Sequence, residues 1–178
     1  MAIRNVLTKE EAALYKKSRA VTNFDARLHQ LLDDMADTLV ESNGVGLAAP
    51  QVGILRRAVI VLETNVAEDE DEYLIELINP EIIEVSGEEE GPEGCLSVPG
   101  EFGLVVRPTF AKVRAQDRFG EWFEVEGEGL TARCFCHEID HLSGVLFDMR
   151  AERLLTPEEI QAMSAAEDED YEDYEEEE

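Results

Sequence analysis

Residues 132–142 read Ala132-Arg133-Cys134-Phe135-Cys136-His137-Glu138-Ile139-Asp140-His141-Leu142, and the HExxH pattern at 137–141 decides how the rest of the chain is read. A helix advances about 100° per residue, so His137 and His141, four apart, come up on one face. Two imidazoles at that spacing can grip one divalent metal ion, with Glu138 at the edge of the face as a proton carrier. Phe135, Ile139, Leu142 and Leu146 recur at spacings of four, three and four, which is a buried stripe on the opposite side. One helix thus carries packing on one side and chemistry on the other. Two ordinary surface histidines are the bland alternative. The chain has only three histidines, so an accidental HExxH is improbable.

Composition narrows the class. A chain of 178 residues with 44% hydrophobic content suits one soluble globular domain and does not require two. The first residues contain no long apolar region or cleavage site, and no later run reaches the length of a membrane span. The expectation is a bacterial cytoplasmic protein with no membrane association. Net charge is −27, which repels nucleic acid and anionic membranes rather than attracting them and disfavours direct DNA binding. Residues 167–178 hold ten acids and no base, yet removing those ten charges still leaves residues 1–166 at −17. Cys95, Cys134 and Cys136 cannot all pair with one another, and without an export signal they read as free thiols or metal ligands.

Along the chain, residues 24–42 form an amphipathic helix with Phe24, Leu28, Leu31, Met35 and Leu39 inward. Thr22 or Asn23 is available as its N-cap and Asn43-Gly44 as its stop. Gly44-Val45-Gly46-Leu47-Ala48-Ala49-Pro50-Gln51 follows. It lacks the lysine and hydroxyl residue of a phosphate loop and reads as a tight packed connection. From Arg57 to Gln116 the pattern is strands, with Ala58–Leu62 buried and Pro80 implying an edge or break between 73–79 and 81–85. Phe110–Gln116 and Glu121–Glu126 form a hairpin about Asp117-Arg118-Phe119-Gly120. The acidic runs 68–72 and 88–90 read as solvated loops, and Phe147–Arg150 as extended. Thr156, Pro157 and Glu159 form a capping box that opens a brief helix. The expected organisation is one catalytic metallohydrolase domain over 1–164 and an acidic disordered tail over 165–178.

A catalytic metal takes three protein ligands and keeps one position open. Cys136 is rotated about 100° off the metal face. Cys134 shares the face but lies roughly 10 Å of helix rise from His141, too far for a short thiolate. Cys95, in Glu93-Gly94-Cys95-Leu96-Ser97, is the remaining choice, and its flanking glycine permits close backbone approach.

GVGLAAPQ at 44–51, EGCLS at 93–97 and HEIDH at 137–141, in this order, resemble the three signature motifs of the peptide deformylases. The resemblance spans most of residues 1–150. It implies hydrolysis of the formyl group from the N-terminal formyl-methionine of new polypeptides. It further implies one divalent metal, Fe2+ in the native enzyme with Zn2+, Ni2+ or Co2+ possible in purified protein, held by Cys95, His137 and His141. Glu138 would move the proton, while the Gln51 side-chain amide and the Leu96 backbone N–H would stabilise the oxyanion. Val45, Leu130 and Cys134 would line a pocket for the methionine side chain, and Gly46 would contact the substrate backbone. The implied fold is α+β, with antiparallel strands wrapped around the central HExxH helix. Two departures stand out: Cys136 replaces a glutamine common in the family, and an acidic run replaces the longer C-terminal helix used by some members for transient ribosome docking.

Two rivals remain open on sequence alone. An ordinary HExxH metallopeptidase usually draws a third ligand from downstream, and no histidine follows His141. A non-catalytic binding protein of this fold would have no use for Gln51, Cys95, His137, Glu138 and His141 together.

Overall fold

The computed structural model describes residues 2–175. Two antiparallel sheets and three α-helices make an α+β fold. The larger sheet has five strands: β1 (Gly46–Ala48), β2 (Ala58–Glu63), β3 (Tyr73–Ser86), β6 (Phe110–Gln116) and β7 (Trp122–Glu128), adjacent in that order. The smaller has β4 (Glu89–Cys95), β5 (Val98–Arg107) and β8 (Arg153–Leu154). The helices are α1 (Ala26–Glu41), α2 (Leu130–His141, carrying HExxH) and α3 (Pro157–Glu175).

Helices cover both faces of the larger sheet, which explains why β2 is apolar without alternation. Ala58 and Ile60 face one cluster with Leu28, Leu32 and Met35 of α1. Val59 and Val61 face the other, with Ala132, Phe135 and Leu142 of α2. Phe135 is fully buried, as the apolar spacing in α2 requires. A third cluster joins Val98 and Val105 of β5 to Leu14, Leu146 and Phe147. It fixes the small sheet against the segment that follows α2.

Local chemistry moved several boundaries. The N-cap of α1 is Asp25, not Thr22 or Asn23, because its carboxylate accepts from the N–H groups of Arg27 and Leu28, each at 3.1 Å. Phe24 then lies outside the helix and packs on the α1 cluster. Pro80 does not divide two strands. Residues 73–78 pair with β2 and residues 78–86 with β6, and a bulge at 78–81 takes up the change of partner. Glu89 and Glu90, expected in a loop, begin β4 through pairing with Arg107 and Val106 of β5. The pairing overrides a glycine- and proline-rich sequence with little strand propensity of its own. Phe147–Met149 is a 3-10 turn and not extended.

The capping box at the start of α3 is present, with Thr156 N–H donating to Glu159 at 2.8 Å and Glu159 N–H to Thr156 at 3.3 Å. The helix is longer than the brief one expected, continuing through the acidic run to Glu175. A capped nucleus lets good helix formers such as Gln, Ala, Met and Glu propagate beyond it. The last residues of the expected disordered tail, 176–178, lie outside the described residues.

Asn79 sits at the bulge with φ of 51°. Its side chain accepts from Val21 N–H at 2.8 Å and donates to the Val21 carbonyl and to Gln116. Asn79→Ala should therefore cost about 2–4 kcal/mol in denaturant unfolding, and Asn79→Gly should recover only the backbone-strain part of that loss.

Candidate metal centre

Three segments converge on one point. Helix α2 brings up His137 and His141. Strand β4 brings Glu93 and Cys95, two apart and therefore on one side of the strand. A 3-10 turn over Ala49–Val52, entered directly from β1, brings Gln51. The ligand atoms of Cys95, His137 and His141 all lie within 4.8 Å of one another. Cys95 Sγ and His141 Nε2 are 3.4 Å apart. Tetrahedral coordination by imidazole nitrogen and thiolate sulfur separates donors by about 3.3–3.8 Å, so this donor set fits one divalent ion.

The surroundings settle how the two imidazoles are presented. His137 Nδ1 is 2.9 Å from Glu93 Oε2, which leaves Nε2 for a metal. Burial disfavours a charged His137, but its hydrogen bonds to Cys95 and Glu93 and the neighbouring Glu138 charge outweigh this and raise its pKa. Burial lowers that of His141, assisted by the His137 and Arg107 charges. A metal ion is bound by neutral imidazole, so ion binding at this pair is favoured as pH rises.

Glu93 is the centre of a buried ion network. Its carboxylate receives Arg107 through two bonds, at 2.7 and 3.0 Å, and Arg133 at 3.1 Å. Burial alone would raise its pKa; the bonds from His137 and Arg107 and their charges reverse that and hold it at about 2. Arg107 continues to Asp140 of α2 at 2.8 Å. Arg133 reaches the carbonyls of Glu89 and Val105, each at 2.9 Å, and so ties α2 to β4 and β5 of the small sheet.

Glu138 is enclosed, and burial pushes its carboxyl up to about 7. Its Oε2 is buried without a hydrogen-bond partner, an unmet acceptor of the kind that active sites retain. Gln51 is locked by Ala48 N–H donating to its Oε1 at 2.9 Å. Its amide nitrogen is thereby aimed at Cys95 Sγ, 3.4 Å away, and at Ser97 Oγ, 3.2 Å away.

A cavity of about 510 Å³ opens beside these groups. Val45, Gly46, Leu96, Leu130, Cys134 and Glu138 all line it, with Cys95, His137 and Gln51 at its polar end. Cys134 Sγ donates to the Val45 carbonyl at 3.4 Å, and burial raises its pKa well above the ordinary thiol value. Cys134 is a wall residue and does not join the metal-ligating group. Cys136 is also buried outside that group.

Glu93, Ser97, Arg107 and Arg133 were not assigned in the sequence. Glu93 and Ser97 carried a usable signal, since both alternate with Cys95 along one short motif. Arg107 and Arg133 carried none, because their partners are 14 and 40 residues away.

The family model for polypeptide deformylase matches residues 3–156. A peptide deformylase of Caldicellulosiruptor bescii is 54% identical over 161 residues, 90% of this chain and 93% of that protein. Peptide deformylase 1 of Bacillus subtilis is 47% identical, over 92% of this chain and 99% of its own length. Among solved structures, the Thermotoga maritima peptide deformylase superposes with a TM-score of 0.79 at 38% identity, over 86% of this chain and all of that one. A class I type b peptide deformylase of Acinetobacter baumannii with Met-Ala-Ser bound gives 0.77 at 40% identity, over 84% of this chain and 98% of that chain.

Gly46 has no space for a side chain. A Cβ there would lie 2.6 Å from both Cys134 Sγ and Glu138 Oε1. Gly46→Ala should displace Glu138 and lower kcat by about 100-fold or more, with bound metal per protein unchanged by elemental analysis.

Proposed function

The chain belongs to the polypeptide deformylase family and removes the formyl group from the N-terminus of nascent polypeptides, and we propose how its residues divide that work. Residues 1–164 form the catalytic domain. Cys95, His137 and His141 hold the single metal ion, Fe2+ in the cell, with Zn2+, Ni2+ or Co2+ acceptable to the same donors. An ion held there would supply Lewis acidity, lowering the pKa of a water and favouring charge on the formyl oxygen. The observation that carries this reading is the convergence of those three ligand atoms at one end of an apolar-walled cavity, with Glu138 beside them.

The chain's own groups then have distinct tasks. Glu138 accepts a proton from the attacking water and passes it to the departing methionine nitrogen, so formate leaves and a free amine remains. Its raised pKa favours holding that proton between the two steps. As the formyl carbon becomes tetrahedral, negative charge develops on its oxygen. Gln51 Nε2, fixed through the Ala48 N–H, and the Leu96 N–H donate to it. Gln51 spends no entropy at that moment, because its amide is already oriented.

Val45, Leu130 and Cys134 take the methionine side chain, and Gly46 lets the substrate backbone approach β1. A Met-Ala-Ser peptide bound to the Acinetobacter relative is consistent with a substrate of this size and type. No described helix is long and apolar enough to cross a membrane. The enzyme acts in the bacterial cytoplasm, where formylated chains emerge from the ribosome, its transient partner.

Formate release from formyl-Met-Ala-Ser, measured beside cleavage of the unformylated peptide, tests the activity. Release without peptide-bond cleavage is the expected result, and cleavage of the unformylated peptide would favour a metallopeptidase. Glu138→Gln should keep its metal and lose about 100- to 10,000-fold in kcat. The acid limb of the wild-type profile should lie below pH 7, since a bound cation favours the carboxylate, and activity should fall as pH drops through it. Cys95→Ser should lose most of its metal, whereas Cys136→Ser should retain it. The reverse pattern would refute the ligand assignment.

A further inference from the structure

The two donors assigned to the oxyanion come from different sheets. Gln51 sits in the 3-10 turn that leaves β1 of the larger sheet. Leu96 sits in the short turn between Cys95 and Val98, which pair where β4 meets β5 in the smaller sheet. Two donors can meet one oxygen only if the segments carrying them are held to within about 0.5 Å. At the site itself, Gln51 Nε2 is 3.2 Å from Ser97 Oγ and 3.4 Å from Cys95 Sγ. Those contacts hold the amide but not the main chain behind it.

The main chain is held by the segment that precedes α1. Leu7 N–H donates to the Gln51 carbonyl at 2.7 Å, and Lys9 N–H donates to the Ser97 carbonyl at 2.9 Å. One short stretch thus grips the residue that bears one donor and the residue that follows the other. Leu7 also packs against the third apolar cluster, as Cys95 does. Lys9 is pinned in turn, because its Nζ reaches both oxygens of Glu101 on β5 and the Tyr15 hydroxyl donates to its carbonyl at 2.7 Å. Further along, Ser18 N–H donates to the Leu142 carbonyl at 2.9 Å. The Tyr15 backbone lies so close to Gly144 that a Cβ there would come within 2.5 Å of it. Residues 7–18 therefore pass the Gln51 turn, the Leu96 turn and the end of α2 in succession.

We infer that Leu7 and Lys9 are positioning residues for the hydrolysis, acting through backbone N–H groups that set the gap between the Gln51 amide and the Leu96 N–H. This role rests on the oxyanion donors proposed above. Neither side chain lines the cavity, so the segment sets where charge on the formyl oxygen is met and carries no chemistry of its own. The oxyanion exists only once the formyl carbon becomes tetrahedral. Loosening the gap therefore costs transition-state binding and spares substrate binding. The Lys9–Glu101 ion pair is a lesser matter, since its side chains are 36% and 39% exposed.

The test replaces one N–H at a time by an ester oxygen, building the α-hydroxy analogue of leucine into position 7 or that of lysine into position 9 of the full chain. Each folded ester should lower kcat for a formylated tripeptide about 10-fold, with KM within about twofold and metal per protein unchanged. In a Gln51→Ala background the Leu7 ester should cost less than about twofold, because the donor it positions is gone. Glu101→Gln cuts the ion pair, keeps both N–H groups and should leave kcat unchanged. The proton–nitrogen signals of the Gln51 side-chain amide give a readout free of turnover, and they should shift and broaden in the Leu7 ester. Unchanged kcat in the esters, the full loss in the Gln51→Ala background, or an equal loss from Glu101→Gln overturns the inference. Unmoved Gln51 signals overturn it as well. An unmodified chain that releases no formate overturns the deformylase assignments instead, and the Gln51 signals then decide the positioning role by themselves.

Discussion

The Glu93 carboxylate is the contact on which both fold and site depend. It sits at 5% exposure inside the protein, facing two guanidinium groups and an imidazole. A lone buried carboxylate would be neutral; this one is held ionised because three donors enclose it. The three donors come from two elements that β4 must hold together. Arg107 ends β5, Arg133 comes from the second turn of α2, and His137 is a metal-ligand candidate further along that helix. One side chain on β4 therefore sets the strand–helix spacing and the imidazole orientation together. Replacing a buried ionic cluster with apolar groups often leaves a protein equally stable. The reason to keep this one lies in His137.

The larger sheet supplies the rigidity behind that arrangement. With α1 on one face and α2 on the other, β2 has no solvent side, and a slip by one residue would exchange its two clusters. Strand β1 pairs with β2 at Gly46–Val61, Leu47–Ile60 and Ala48–Val59, so the turn carrying Gln51 inherits that register. The Gly46 backbone lies directly under Glu138 and Cys134. Gln51 and Glu138 are thus placed by the core itself and not by a mobile loop, as oriented donors and acceptors require.

Much of this was legible in the chain. The four-residue histidine spacing and the apolar positions Phe135, Ile139 and Leu142 required a helix with two working faces, but Leu146, read as part of the same stripe, falls past the helix end and packs in the third cluster. The α+β class followed from the resemblance and agrees with the observed sheets. What escaped was non-local. The continuity of β3 through Pro80 depends on a change of partner strand that no local pattern records. Strand β4 exists because β5 pairs with it, against the propensity of Gly91, Pro92 and Gly94. The Arg107–Glu93–Arg133 network joins residues whose neighbours in sequence give no hint of it.

Metal affinity of Glu93→Gln tests the central claim most directly. The substitution preserves size, removes the charge, and leaves the proposed ligands Cys95, His137 and His141 in place. Chelator competition on the folded variant should show affinity reduced by about 10- to 100-fold, because His137 is no longer held by an anion at Nδ1. Wild-type affinity in a folded Glu93→Gln protein would contradict the account and leave the metal centre independent of the network beneath it.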